Sequence, residues 1–271
     1  MPELPEVETA RRGLAPHLAG RRIAAVRVRQ RHLRWPVPAG LGRRLAGTAI
    51  EALERRAKYL LLRTEAGTVL LHLGMSGSLR LVPAALPPDR HEHLDLVLDD
   101  GRALRLRDPR RFGAVLWAGR RPEGHPLLAG LGPEPLGPHF HGEHLHRRAR
   151  GRRVAVKPFL MDARVVAGVG NIYATEALFR AGVDPRLPAG RLRPVRWERV
   201  AGAVREVLEQ ALAAGGTTLR DFVDARGRPG WFARELAVYG RAGEPCPRCG
   251  TSIRCVRLGQ RSSYWCPSCQ R

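Results

Sequence analysis

The sequence predicts an α+β chain: a strand-rich N-terminal half, a helical C-terminal half and a small metal-binding tail. Three observations carry this. Short strand-like apolar runs fill residues 20–118, helical spacing follows, and two Cys-x-x-Cys pairs close the chain. At 271 residues the chain is long enough for two modest domains with their own cores.

Element by element, the start reads MPELPEVETA. The stretch PEVETARRGL suits a helix, with Pro5 in its first turn and Glu6 and Glu8 complementing the positive end of its dipole. That leaves Pro2 and Glu3 unexplained. TVLLHL (68–73) is a buried apolar strand, and LDLVLDDGRALRLR (94–107) is two alternating strands around an Asp-Asp-Gly turn. Between them LGMSGSLRL carries glycines suited to a tight loop. Residues 124–144, rich in Gly, Pro and His, read as an inter-domain linker. The stretch 157–185 suggests two helices meeting at Gly168-Val169-Gly170. WERVAGAVREVLEQALAAGG places Trp197, Val200, Ala201, Val204, Val207, Leu208, Ala211 and Leu212 on one helical face, closed by Gly215 and Gly216.

Charge narrows the partner. There are 47 Lys+Arg against 25 Asp+Glu, a net +22, which points to nucleic acid or an anionic membrane surface. No apolar run approaches the roughly 18 residues of a membrane span, and no signal pattern opens the chain. A cytoplasmic, nucleoid-associated nucleic-acid binder is the expectation. Only two of the basic residues are lysines, Lys58 and Lys157. In a chain that otherwise uses arginine for positive charge, they hint at sites needing an amine that can release its proton.

In the tail, Cys246 and Cys249 are followed after sixteen residues by Cys266 and Cys269. Two such pairs suit a tetrahedral four-thiolate zinc site. Disulfides and a redox Cys-x-x-Cys are the alternatives, disfavoured by the expected compartment and by the symmetry of the pairs. With four protein ligands, one Zn²⁺ per chain would be structural, stiffening a hairpin too small to fold alone. Residues 237–271 hold six arginines and one glutamate, so the module stays basic around its metal and suits phosphate contacts. Cys255 is left over and is expected as a buried or half-buried thiol.

PELPEVET, RRAKYLL, LGMSGSLR, DPRRFG, GVGNIYA and the four-cysteine tail occur together and in this order, across essentially the whole length. The chain closely resembles the bacterial formamidopyrimidine-DNA glycosylases (the Fpg/MutM family), which excise oxidised purines from DNA and nick the strand. The resemblance implies an N-terminal β-sandwich catalytic domain (1–133), a linker (134–150), a helix-two-turns-helix domain (151–236) and a zinc-finger β-hairpin (237–271). It implies that Pro2, exposed by loss of Met1, is the amine nucleophile, that Glu3 protonates the opening sugar, and that Lys58 is a second acid/base. It assigns Arg261 to gripping phosphate at the lesion. Met75, Arg110 and Phe112 match a trio that fills the void left by an extruded base. His91, Arg110, Arg153 and Asn171 match DNA contacts. Lys157 matches a position near the damaged base, with a phosphate contact equally open. Residues 217–232 match a loop over the extruded purine. The implied partner is damaged double-stranded DNA, bound by a monomer. Two rivals stay open: the sister branch acting on oxidised pyrimidines, which typically opens PEGPE, and a non-catalytic zinc-ribbon DNA binder.

Overall fold

The computed structural model describes residues 2–217 and 232–271. The described residues of 1–129 and 214–233 form one compact unit, and those of 130–213 and 234–271 a second. The expected loop at 217–232 lies, apart from its two end residues, outside the described residues.

The first unit opens with α1 (Leu4–Leu18) and α2 (Leu41–Leu45) around β1 (Ile23–Val28). Seven strands follow: β2 (Ile50–Arg56), β3 (Tyr59–Thr64), β4 (Gly67–His72), β5 (Ser78–Pro83), β6 (Glu92–Leu98), β7 (Arg102–Arg107) and β8 (Ala114–Gly119). They form two antiparallel four-stranded sheets, ordered β1-β6-β7-β5 and β2-β3-β4-β8. Alternation explains the sandwich. Leu94, Leu96 and Leu98 from one sheet join Leu60, Leu62, Val69 and Leu71 from the other in a single core. Each such leucine contributes about 2 kcal/mol by leaving water. Val7, Leu14 and Leu18 bring α1 into the same core, with helical spacing.

The second unit contains α4 (Gly142–Ala149), α5 (Val156–Met161), α6 (Asn171–Arg180) and α7 (Pro194–Ala213), then β9 (Arg254–Leu258) and β10 (Arg261–Trp265); the short α3 (Pro126–Ala129) closes the first unit. α7 buries Trp197, Val200, Val204, Val207, Leu208 and Ala211, the face that its periodicity predicts. Where the sequence reads a linker at 134–150, residues 142–149 instead form α4, which packs on α7 and buries Leu145 and Ala149. The preceding Phe140 is fully buried and lies 5.7 Å beneath the Arg205 guanidinium. Few apolar residues suffice here because most of the segment's surface stays polar. No helix among the described residues is long and apolar enough to cross a membrane.

Candidate functional site

The N-terminal glutamates do more than complement a dipole. Glu3 is the N-cap of α1 and Pro5 sits in its first turn. The Glu3 N–H donates to Glu6 Oε2 at 2.7 Å, and the Thr217 N–H donates to Glu6 Oε1 at 2.7 Å. Pro2, Glu3 and Glu6 are all buried. Glu6 thus ties the N-terminus to the segment just after the Gly215-Gly216 pair. Its Glu-x-x-Glu spacing from Glu3 is a capping-box signal that could have found it.

Glu8 takes a second role. Burial pushes its carboxyl up, but hydrogen bonds from Arg11 and Arg12 and the charges of Arg11 and Arg55 outweigh this and hold it at about 2. Arg55 bridges Glu8 at 3.1 Å and donates to the Ala57 carbonyl at 3.0 Å. Ala57 takes a left-handed φ of 53° in the β2–β3 turn, and Lys58 follows it, half-buried. An acid–arginine relay therefore connects α1 to the turn that presents Lys58.

His72, read from sequence only as part of an apolar strand, belongs to this neighbourhood. Its ring lies 4.9 Å from that of Tyr59, its cross-strand partner. Burial first, then the charges of Lys58 and Arg34, depress its pKa to about 4, so it is neutral at pH 7. Its Nδ1 accepts the Gly74 N–H at 3.0 Å, at the entrance to the Met75 loop. The unfolded chain takes up a proton at this histidine near pH 6.5 and the folded chain only near pH 4. The resulting stability is complete above pH 6.5 and lost as pH falls towards 4, by roughly 3 kcal/mol. Chemical denaturation at the two pH values should show this loss shrinking by about that amount in His72→Asn, whose amide oxygen can accept the same N–H. An unchanged loss would contradict it.

The same unit carries Met75, half-buried, and Arg110 and Phe112, both exposed. The Arg110 guanidinium sits 5.0 Å over the Phe112 ring. His91 is half-buried ahead of β6.

In the second unit Asn171 is the first residue of α6, where backbone N–H groups attract anions. Its Nδ2 donates to the Tyr239 hydroxyl at 3.2 Å, while its Oδ1 is buried without a hydrogen-bond partner among the described residues. Tyr239 is held by the fully buried Glu176, whose carboxylate accepts N–H groups from Ala237 (2.9 Å), Val238 (3.0 Å) and Tyr239 (2.8 Å). The Tyr239 ring also meets Tyr264 of β10 at 5.3 Å. Neither tyrosine nor Glu176 stood out in the sequence. Arg153 is exposed before α5.

Arg261 opens β10 after Gly259 and Gln260, both at positive φ, so a two-residue hairpin turn presents it to solvent. Lys157 makes a contact that the sequence does not indicate. It is 1% exposed, and its Nζ donates to the Ser262 carbonyl at 2.7 Å and Ser263 Oγ at 2.8 Å. Through these two bonds the buried ammonium braces the hairpin at the residues that follow Arg261.

Below the hairpin, the sulfurs of Cys246, Cys249, Cys266 and Cys269 lie within 4.8 Å of one another. The Cys246–Cys269, Cys249–Cys266 and Cys249–Cys269 separations are 3.9, 3.5 and 3.4 Å. Tetrahedral zinc with bonds of about 2.3 Å requires edges of about 3.8 Å, so these residues fit it. The Arg248 N–H approaches Cys246 Sγ at 3.4 Å, as knuckle amides do in such sites. Cys255 corrects another expectation: it is exposed, because alternation along β9 turns Val256 and Leu258 inward.

Comparison with known proteins agrees with this geometry along the whole chain. Family models match as the formamidopyrimidine-DNA glycosylase N-terminal domain (residues 1–115), the H2TH domain of the same enzyme (131–223) and the zinc finger found in FPG and IleRS (243–271). A formamidopyrimidine-DNA glycosylase of Alkalilimnicola ehrlichii is 62% identical over the full length of both chains. The crystal structure of MutM (FPG) from Thermus thermophilus is similar at 41% identity and TM-score 0.88, covering 99% of this chain and 98% of that one. A Lactococcus lactis Fpg (MutM) bound to Fapy-dG-containing DNA is similar at 30% identity and TM-score 0.91, covering 99% and 100%. A buried Pro2-Glu3 terminus, a four-thiolate hairpin and a match over both units have one common explanation: this chain belongs to the formamidopyrimidine-DNA glycosylase family.

Proposed function

We propose that this chain excises 8-oxoguanine and formamidopyrimidines from damaged duplex DNA and nicks the resulting site, with Pro2 as nucleophile. The observation that carries this reading is Pro2-Glu3, buried at the start of α1 in a member of this glycosylase family. Once Met1 is removed, the Pro2 nitrogen is a secondary amine. A terminal amine has a reference pKa near 8, and the positive end of α1 disfavours its protonated form, so a neutral nucleophile is available at pH 7.

Attack of this nitrogen on C1′ expels the damaged base with its bonding electrons; the alkylated nitrogen gives up its proton, which balances the one the departing base takes up. Glu3, beside the nucleophile, protonates the ring oxygen as the sugar opens to an iminium. The iminium then accepts the electrons of the C2′–H bond when a base removes that proton, and the 3′-phosphate leaves. A second elimination releases the 5′-phosphate. Lys58, held by the relay from Glu8, handles protons and the strand near the first elimination. Arg261 acts through charge, because a guanidinium is a poor proton donor. His91, Arg153 and Asn171 hold phosphates, and the arginine surplus supplies salt-dependent affinity. One Zn²⁺ on the four thiolates keeps the hairpin folded. The setting is the cytoplasm, on nucleoid DNA.

Base release from defined duplexes tests the reading. The expected result is release from 8-oxoguanine and formamidopyrimidine duplexes at rates at least about tenfold above those from oxidised-pyrimidine duplexes. Preference for the pyrimidine lesions would favour the sister activity, and binding without release would favour the non-catalytic one.

A further inference from the structure

We propose that Asp108 and Ser76 are positioning residues that mount Met75, Arg110 and Phe112 as one preassembled wedge. The inference rests on the glycosylase reading and adds how the wedge is held.

Met75 lies in the loop between β4 and β5, and Arg110 and Phe112 in the loop between β7 and β8. Each loop crosses from one sheet to the other, because β4 and β8 pair in one sheet while β5 and β7 pair in the second. The two loops therefore run side by side, beyond the reach of either sheet's ladder. Something else must fix their register.

Asp108 does so with both carboxylate oxygens. Its Oδ1 accepts the Ser76 hydroxyl at 2.9 Å and its Oδ2 accepts the Gly113 N–H at 2.7 Å. The Ser76 oxygen in turn accepts the Arg110 N–H at 3.2 Å. Because the Ser76 proton is committed to Asp108, its lone pairs face Arg110. The backbone of Asp108 is pinned as well, with its carbonyl meeting His93 Nε2 at 2.8 Å. Backbone contact reinforces the latch. Gly74 has φ +62°, and a β-carbon there would fall 2.4 Å from the Phe112 carbonyl carbon, so only glycine permits the approach.

Burial divides the two sets of residues. Asp108 and Ser76 are 0% and 4% exposed, whereas Phe112 is 44% exposed and Arg110 is exposed beside it. An exposed aromatic and guanidinium standing on a buried, charge-assisted latch need no ordering when a base leaves the stack. Without the latch the loops would have to be ordered against their entropy at that moment.

Ser76→Ala is the mild test, and Asp108→Asn, of unchanged shape, is the second. Ser76→Ala should slow release of 8-oxoguanine from duplex DNA about tenfold but change nicking of a preformed abasic site less than about twofold. In a Phe112→Ala background the same substitution should cost less than about twofold more, since the wedge is already lost. Fluorescence of 2-aminopurine beside the lesion, which reports unstacking without bond cleavage, should rise more slowly in both variants. Equal losses on the two DNA substrates, full multiplication in the Phe112→Ala background, or unchanged fluorescence kinetics would overturn the proposal. A wild-type chain that unstacks DNA but releases no base would defeat the functional reading and leave the latch standing.

Discussion

A chain that keeps Met1, or carries any N-terminal extension, is expected to lose base release and strand nicking by at least about 10⁴-fold while still binding lesion DNA. The amine would have become an amide, whose nitrogen lone pair is delocalised into the carbonyl and cannot attack C1′. Affinity should change much less, because it comes from a net charge of +22 spread over the chain. It should weaken steeply with salt, as counterion release requires. Single-turnover rates and binding titrations on the same duplex check both halves. Full activity in a verified extended chain would move the nucleophile, with Lys58 the first candidate.

Cys249→Ser is expected to lose the zinc and most of the DNA affinity, whereas Cys255→Ser keeps one zinc per chain and native binding. The hairpin's core is small: Val238, Cys246, Ile253 and Cys266, packed on Phe179 of α6. Metal binding must therefore supply much of its folding free energy, on the scale of about 10 kcal/mol for structural zinc sites. Losing it releases Arg261 and the Ser262 and Ser263 contacts to Lys157. The buried Lys157 ammonium would then lose both of these acceptors, adding a further penalty. Metal analysis beside DNA titration decides. Zinc-replete Cys249→Ser together with zinc-depleted Cys255→Ser would invert the ligand assignment.

The strands, α7 and the zinc ligands were legible because periodicity and spacing are local signals. Leu94, Leu96 and Leu98 alternate, the apolar face of α7 recurs every three or four residues, and each cysteine pair spans a knuckle. What escaped depends on partners distant in sequence. Nothing near Lys157 indicates that its Nζ meets Ser262 and Ser263, more than a hundred positions away. Glu6 reads as a dipole complement until Thr217 is found on its second oxygen. Helix α4 hides in a Gly- and His-rich stretch because Leu145 and Ala149 are the only apolar residues it buries. Cys255 reads as a thiol to be buried until the pairing of β9 with β10 sets which side of the hairpin it faces. The Asp108–Ser76 latch joins two motifs visible in sequence, yet nothing in either indicates that they meet.

Borohydride reduction during reaction with an 8-oxoguanine duplex, followed by mass spectrometry of the linked peptide, tests the central claim most directly. Reduction converts an iminium between amine and C1′ into a stable bond, so the crosslinked atom is identified by the peptide that carries the mass of the opened sugar. The account predicts one adduct per chain on the N-terminal peptide beginning at Pro2, and none when Met1 is retained. An adduct on the peptide containing Lys58, or base release with no trappable adduct at all, would contradict it.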